Sequence, residues 1–486
     1  MKKYLWLFCI LSALLAGPVL ADGDTERYGK TDLVVSPKGR TGQYSTISMA
    51  LEEAAPGAVI HVRPGTYRES LTIAKPVTII GEGKTGKIRI ESTDSACISS
   101  SANQACVKNL SLHCQAEDDY GVDIYGGALT LENCSISADG LACLAIHGEQ
   151  TDPVIKNCSI HPVNKSGGGG IFVYEQGQGT IIDCKIYGNK LSGIEIREYG
   201  NPEVSGCEIY NNQQSGVFVN EQGQGTITDC KIFGNKTSGI AIIERSNPDV
   251  SGCEIYSNQQ SGVYVYEQGR GRLTDCKIFG NNHLGIVIAE EGNPKVRGCE
   301  IYSSKEGGGV FVYEQGQGTI TDCKIYENKL SGLEIKEDST PKVSGCEIYN
   351  NQQSGIFVNE QGQGAITDCK IYENMLAGIV VQEGGNPRVR DCEIYNNQQS
   401  GVFVNEQGQG MIADCKIYKN KLTGIEICED SKLIISNCHI NQNGYEAIYV
   451  HTDGSATVVN CDLTANSEGA WDIEDGCIVS RSENIE

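Results

Sequence analysis

The strongest constraint on this chain is a period. The segment GIFVYEQGQGTIIDCKIYGNKLSGIEIREYGNPEVSGCEIYNNQQS at 170–215 returns at 216, 262, 309, 355 and 401 with few substitutions, and each 46-residue unit is two 23-residue halves. One cysteine marks each half: Cys184, Cys207, Cys230, Cys253, Cys276 and Cys299 step by 23. One extra residue intervenes near Gly307, after which Cys323, Cys346, Cys369, Cys392, Cys415, Cys438 and Cys461 step by 23 again. Self-similarity at a fixed period marks a repeat architecture, in which each unit buries its apolar face only against its neighbours.

Aligned on the cysteine, a half-unit reads C-x-I-aromatic-x-N-x-x-x-G-[IV]-x-[IV]-x-E, then a turn, then [IV]-x-[DG]-C. Its apolar positions alternate, as in Cys184 and Ile186, then Ile194 and Ile196. Alternation at period 2 specifies half-buried strands, not the 3.6 period of a helix. A half-unit of 23 residues has no room for a helix beside its strands and Gly/Asn/Pro turns, which sets aside a leucine-rich repeat. The chain is therefore all-β: a right-handed parallel β-helix solenoid of about 23 residues per coil, with coils stacked at ~4.8 Å.

Stacking turns each repeat position into a column along the rod. Asparagines from Asn189 to Asn466 form one, with amides able to hydrogen-bond from coil to coil. The cysteines form another; in-register neighbours aim their Cβ atoms the same way, so they read as buried free thiols rather than disulfides. One residue after each cysteine, lysine and glutamate alternate from Lys185 and Glu208 to Lys416, a register device worth about 0.2–1 kcal/mol per pair.

Three columns are candidates for function. An outward aromatic row runs from Tyr187 to Tyr418 and includes Tyr349, Tyr372 and Tyr395. A second row occupies alternate coils, at Phe172, Phe218, Tyr264, Phe311, Phe357, Phe403 and Tyr449, with Glu195, Ala241, Val287, Glu334, Val380 and Glu426 between. Either the rings stack on their own neighbours, or they present an amphipathic surface for sugar rings or a protein partner. The third column is glutamate, from Glu175 to Glu429 and including Glu314, Glu337 and Glu360. Like charges at this spacing repel by about 0.9 kcal/mol per neighbour even in water, so something must offset them. The options are backbone N–H groups of each glutamate's own turn, or Ca²⁺, the one cofactor the sequence raises.

In chain order, 1–21 reads as a secretory signal: Lys2 and Lys3, an apolar run from Tyr4 to Ala16 with Cys9 inside it, then Val19-Leu20-Ala21. Residues 22–87 hold a polar start, a helix over Tyr44–Ala55 capped by Ser45 that plugs the open end, and strands at Val59–Val62, Leu71–Ile73 and Val77–Ile80. Irregular coils fill 88–183, with glycines at Gly167–Gly170 and off-column Cys97, Cys106, Cys114 and Cys143 whose pairing the sequence leaves open. Regular coils follow over 184–461, then a C-terminal cap and acidic tail over 462–486, about 17 coils and roughly 80 Å in all. A net charge of −23 argues against nucleic acid, and no later apolar run is long enough to span a membrane. The expectation is an exported monomer in the periplasm, outside the cell or on its surface.

The opening stretch, with VRPGTYRE and VTIIGEG, resembles the N-terminus of pectin-lyase-like β-helix proteins. The repeats resemble those of the carbohydrate-binding and sugar-hydrolase (CASH) class, and are similar to the β-helix regions of F-box-linked proteins and of periplasmic copper-processing proteins. That resemblance implies the fold and leaves activity open, because the fold hosts lyases, esterases, epimerases, adhesins and scaffolds. The Asp-Phe-[Ile/Val]-Phe-Gly run of pectin methylesterases and the Asp-Pro-His-Glu signature of alginate epimerases do not occur in the sequence.

One group breaks the repeat: Arg245, Arg270, Arg272, His283 and Arg297. Arg270, Arg272 and His283 are the catalytic candidates, since arginine can hold a uronate carboxylate and histidine can move a proton. The leading expectation is binding of a polysaccharide or protein partner along the repetitive aromatic and acidic flank. A polysaccharide lyase or hydrolase is the first alternative, with its site near Arg270 or in the irregular coils. A structural envelope or adhesin-like rod is the second.

Overall fold

A computed structural model describes residues 30–37, 43–164 and 167–486; the signal expected over Met1–Ala21, with Cys9, lies outside the described residues. Each coil runs through three short strands, and each strand pairs in parallel with its counterpart one coil on. Thus Thr180–Ile182 pairs with Glu203–Ser205 in the first sheet, Lys185–Tyr187 with Glu208–Tyr210 in the second, and Ile194–Ile196 with Val217–Val219 in the third. The first sheet has 20 strands, about 90 Å at ~4.8 Å per step and longer than the sequence estimate. Two sources account for the excess. The first strand of that sheet begins at Lys30, and residues 462–486 add another at Ile478–Ser482, while Trp471–Ile473 extends the third sheet.

Left-handed residues at fixed positions make the corners. Asp183 (φ 52°) turns the chain from the first sheet into the second, and Gly188 (φ 73°) turns it toward the third. Glu198 and Tyr199, at 48° and 62°, form the third corner. Asp, Asn and Gly recur at the first two because they tolerate this region, whereas the third places glutamate there in coil after coil. The inward residues are sealed: Ile186, Ile194 and Ile196 are fully buried. Each such isoleucine contributes about 1.5–3 kcal/mol by leaving water.

The asparagine column is a hydrogen-bonded ladder. The backbone N–H and Nδ2 of Asn189 both donate to Oδ1 of Asn212, at 3.1 and 2.9 Å, and Asn212 repeats this toward Asn235. From Gly193 to Gly424 a glycine precedes every third-sheet strand because that amide fills the space: a Cβ on Gly239 would strike Ile255, the Gly262 carbonyl and the Asn258 amide. Cys143 occupies the same position where no asparagine intervenes, and its thiol donates to Asn189 Oδ1 at 3.7 Å, finishing the ladder's first end. Burial pushes that thiol up to about 12.

The column cysteines are buried and free, and so are the off-column Cys97, Cys114 and Cys143. Their Sγ–H groups turn to main-chain carbonyls, as Cys207 does to Ser205 O at 3.4 Å. The alternating charges lie in register, and Lys185–Glu208 and Lys416–Glu393 both close to 3.1 Å.

The N-terminal helix is shorter than its sequence pattern, Ile47–Glu53. Its cap is Thr46 rather than Ser45, with Oγ1 accepting from Met49 N at 3.3 Å. Tyr44 instead bridges to Val35, and Ala54 opens the strand Ala54–Val62. The Glu69 carboxylate accepts from the N–H groups of Ile47 and Ser48 at 2.8 Å, tying the helix to the coils it covers.

Candidate functional site

The two aromatic rows differ in what covers them. On the second sheet the stack is unbroken from Tyr187 to Tyr418. Tyr349 and Tyr372 are 4.9 Å apart at 4°, and Tyr372 and Tyr395 are 4.9 Å apart at 5°. Rings covered on both faces present only their edges, so Tyr349, Tyr372 and Tyr395 have no face free for a sugar. His161 extends the stack onto Tyr187 at 5.2 Å, a member the sequence column did not include.

On the third sheet the outward rings are separated. Register places Phe218 between Glu195 and Ala241, Phe357 between Glu334 and Val380, and Phe403 between Val380 and Glu426. Rings two coils apart stand ~9.6 Å from one another. Tyr264 leans on Tyr266 at 4.3 Å and Phe311 on Tyr313 at 4.9 Å, and the Tyr264 and Tyr313 hydroxyls meet at 2.9 Å. Between Phe218 and Tyr264 the small Ala241 leaves a depression of about 310 Å³, walled by Gln214, Thr237 and Gln260.

Beside this row runs a second outward column that the sequence reading passed over, because it does not repeat: His147, Tyr174, Arg197, Asn220, Tyr266, Tyr313, Lys336 and Asn359. At its head His147 is held by two carboxylates, with Nε2 2.9 Å from Asp123 and Nδ1 3.4 Å from Glu175. The Asp123 hydrogen bond raises its pKa above the ordinary imidazole value against the cost of burial, and Glu175 adds to it. The imidazole stacks on Tyr174 at 4.8 Å, and the Arg197 guanidinium lies 5.1 Å from the same ring. With both nitrogens engaged, His147 is built to hold a proton rather than to pass one on.

The glutamate carboxylates are not taken up by the N–H groups of their own turns, and they stand at exposed or half-buried corners. The column's residues supply main-chain carbonyls to neighbouring coils: Gln268 N donates to Glu290 O and Gln315 N to Glu337 O, both at 2.9 Å. The Glu244 carboxylate accepts from a corner N–H of the adjacent coil, that of Glu221, at 3.0 Å. Lys336 sits 2.7 Å from Glu337 and 3.4 Å from Glu360, and holds the Glu337 carboxyl below its usual range. Burial, with Glu267 and Glu314 alongside, pushes Glu290 up. Among the described residues no group of three or more His, Cys, Asp or Glu side chains is placed to hold a metal ion, Glu314, Glu337 and Glu360 included.

The arginine and histidine candidates are not brought together. Arg270 is an exposed corner residue. Arg272 is on the first sheet, 3.3 Å from Asp249, and His283 is in the turn before the third sheet, 3.6 Å from Glu306. Arg245 donates to Gln268 at 2.8 Å, and Arg297 faces Asp322 at 3.5 Å. These are separate surface pairings on different corners and sheets.

Among the described residues no helix is long and apolar enough to cross a membrane. Three solved structures share the coil. The periplasmic alginate epimerase AlgG is 13% identical, over 88% of this chain and 76% of that one, with a TM-score of 0.23. The mannuronan C-5 epimerase AlgE6 A-module of Azotobacter vinelandii is 14% identical, over 90% and 93%, with a TM-score of 0.23. The Dettilon tailspike protein gp208 is 9% identical, over 68% and 66%, with a TM-score of 0.39. At such identities the likeness is one of fold. The family described as the right handed beta helix region matches residues 96–253, 239–386 and 331–485, most of the chain, and the chain belongs to that family.

Proposed function

We propose that the protein binds an extended glycan along the outer face of the third sheet. The observation that carries this reading is the contrast between the two aromatic rows. The second sheet spends its ring faces on one another, whereas Phe218, Phe357 and Phe403 are flanked by aliphatic or acidic side chains. A ring with an open face beside hydrogen-bonding groups is the arrangement that stacks a sugar and fixes its hydroxyls. The two-coil step suits a polymer whose units recur along the rod, and repetition gives it many weak contacts at once.

Binding is favoured over turnover because the cluster of titratable groups beside this face, around His147, has its proton carrier clamped between Asp123 and Glu175. A lyase or hydrolase would need a free acid or base there. The test is a panel of immobilised neutral and acidic polysaccharides probed with the mature chain, with and without Ca²⁺. Saturable retention on one glycan class supports the reading, and retention on none overturns it.

A further inference from the structure

Two places on the third sheet repeat one arrangement that the coils between them lack. In the first, Glu195 lies between Phe172 and Phe218, with Arg197 and Asn220 beside it. In the second, Glu334 lies between Phe311 and Phe357, with Lys336 and Asn359 beside it. The cation covers the preceding ring in both, Arg197 at 6.0 Å from Phe172 and Lys336 at 5.8 Å from Phe311. In the coils between, Ala241 and Val287 replace the carboxylate. Six coils separate the two places, ~29 Å.

Both notches hold polar atoms that the protein itself leaves unsatisfied. Asn220 Oδ1 and Asn359 Oδ1 are buried with no hydrogen-bond partner, and Asn359 is only 7% exposed; Arg197 Nε makes no hydrogen bond and has only the carboxylates of Glu195 at 3.8 Å and Glu198 at 4.0 Å. Buried polar atoms are costly when unpaired, so an outside partner is expected to complete them. Burial also pushes the Glu195 and Glu334 carboxyls up, with Arg197 and Lys336 opposing the shift. A third glutamate in the same column, Glu426, differs. It already accepts from the Ser400 hydroxyl at 2.7 Å, and Cys428 stands where the cation would be.

Resting on the glycan reading above, we propose that these notches are two equivalent subsites for the same unit of a neutral, extended polysaccharide, spaced so that one chain engages both. The single cation of each notch faces more than one carboxylate, Arg197 beside Glu195 and Glu198 and Lys336 beside Glu337 and Glu360, so no positive excess attracts a polyanion, and the acidic surface repels one. Phe218 and Phe357, the rings that the cations do not cover, take the sugar faces, while the carboxyl, amide and cation take the hydroxyls.

The test is titration calorimetry of the full chain with neutral 1,4-linked oligosaccharides of the gluco, manno, xylo and N-acetylglucosamine series, from trimers to chains long enough to span both notches. The trimer that binds is expected at two per protein, and the spanning chain at one per protein and tighter by about 10²-fold or more. Glu195→Gln and Glu334→Gln, which keep side-chain shape, should each reduce trimer stoichiometry to one and remove the gain with length. A trimer stoichiometry of one in the unaltered protein, no gain with length, or a stoichiometry of two in either variant overturns the paired subsites. Polymer binding that persists in those cases leaves the glycan reading standing. Binding by none of the four series overturns this inference, and continued retention on an acidic glycan would show that the broader reading alone survives.

Discussion

The backbone N–H of Ser304 donates to Oδ1 of Asn328 at 3.2 Å, yet the Ser304 hydroxyl is buried without a partner. Ser304 stands where every regular coil around it places asparagine, so the ladder is broken between Asn281 and Asn328. Ser304→Asn is expected to join the two halves and stabilise the protein by about 1 kcal/mol, the net worth of a buried hydrogen bond. Chemical denaturation of the two proteins measures it. A loss of stability would mean that the extra residue near Gly307 has already reshaped the coil.

The thiol column makes a second prediction. Because the described cysteines are free and all but the half-buried Cys106 and Cys477 are buried, a thiol reagent should react with few of them in the native protein and with nearly all after denaturation. Reductant should leave the melting temperature unchanged. Cys299→Ser should cost about 1–3 kcal/mol, since it puts a hydroxyl into a thiol's apolar site.

Stacking of the second-sheet rings is predicted to serve stability alone. Tyr372 lies 4.9 Å from both Tyr349 and Tyr395, so Tyr372→Ala removes two contacts of about 0.5–1.5 kcal/mol each besides the buried ring area. Denaturation should register the loss while glycan affinity stays within a factor of two.

Acidity should act through the third sheet with a definite sign. Glu195 and Glu334 have folded pKa values raised by burial, so the folded state holds their protons more tightly than the unfolded chain. That contribution is fully present below the unfolded glutamate value and is lost as pH rises through the raised one. Glu195→Gln and Glu334→Gln should therefore stabilise at pH 7 and change little at pH 4. His147 has the same sign around a higher value: its contribution is present below the ordinary imidazole pKa of 6.5 and lost as pH rises through the raised one. His147→Gln should cost more at pH 5.5 than at pH 9, and melting curves at the four pH values decide both cases.

The fold was legible because a 23-residue period with strict alternation leaves one way to bury Ile186, Ile194 and Ile196. The thiol and asparagine columns followed from register alone. The site was less legible, since sequence shows that residues share a column but not whether their faces are covered. Sequence already set Phe218 between Glu195 and Ala241 and Tyr349 between two rings, but only the structure shows the Tyr349 ring covered on both faces, at 5.0 Å by Tyr326 and 4.9 Å by Tyr372. The His147–Tyr174–Arg197 column escaped notice because its members differ from coil to coil, and a search for repeats discards such positions. The corner glutamates misled for another reason. Their left-handed backbone turns the carbonyls to the neighbouring coils, and no composition rule assigns glutamate to that region.

The most direct test of the account compares two double variants against the glycan that the unaltered protein retains. Phe218→Ala with Phe357→Ala removes rings with open faces, whereas Tyr349→Ala with Tyr372→Ala removes rings that cover one another. Calorimetry on variants confirmed to be folded should show affinity falling by about 10²-fold or more in the first, at roughly 1–3 kcal/mol per lost ring, and staying within a factor of two in the second. Loss of binding in the second with retention in the first would place the glycan on the other sheet and contradict the account.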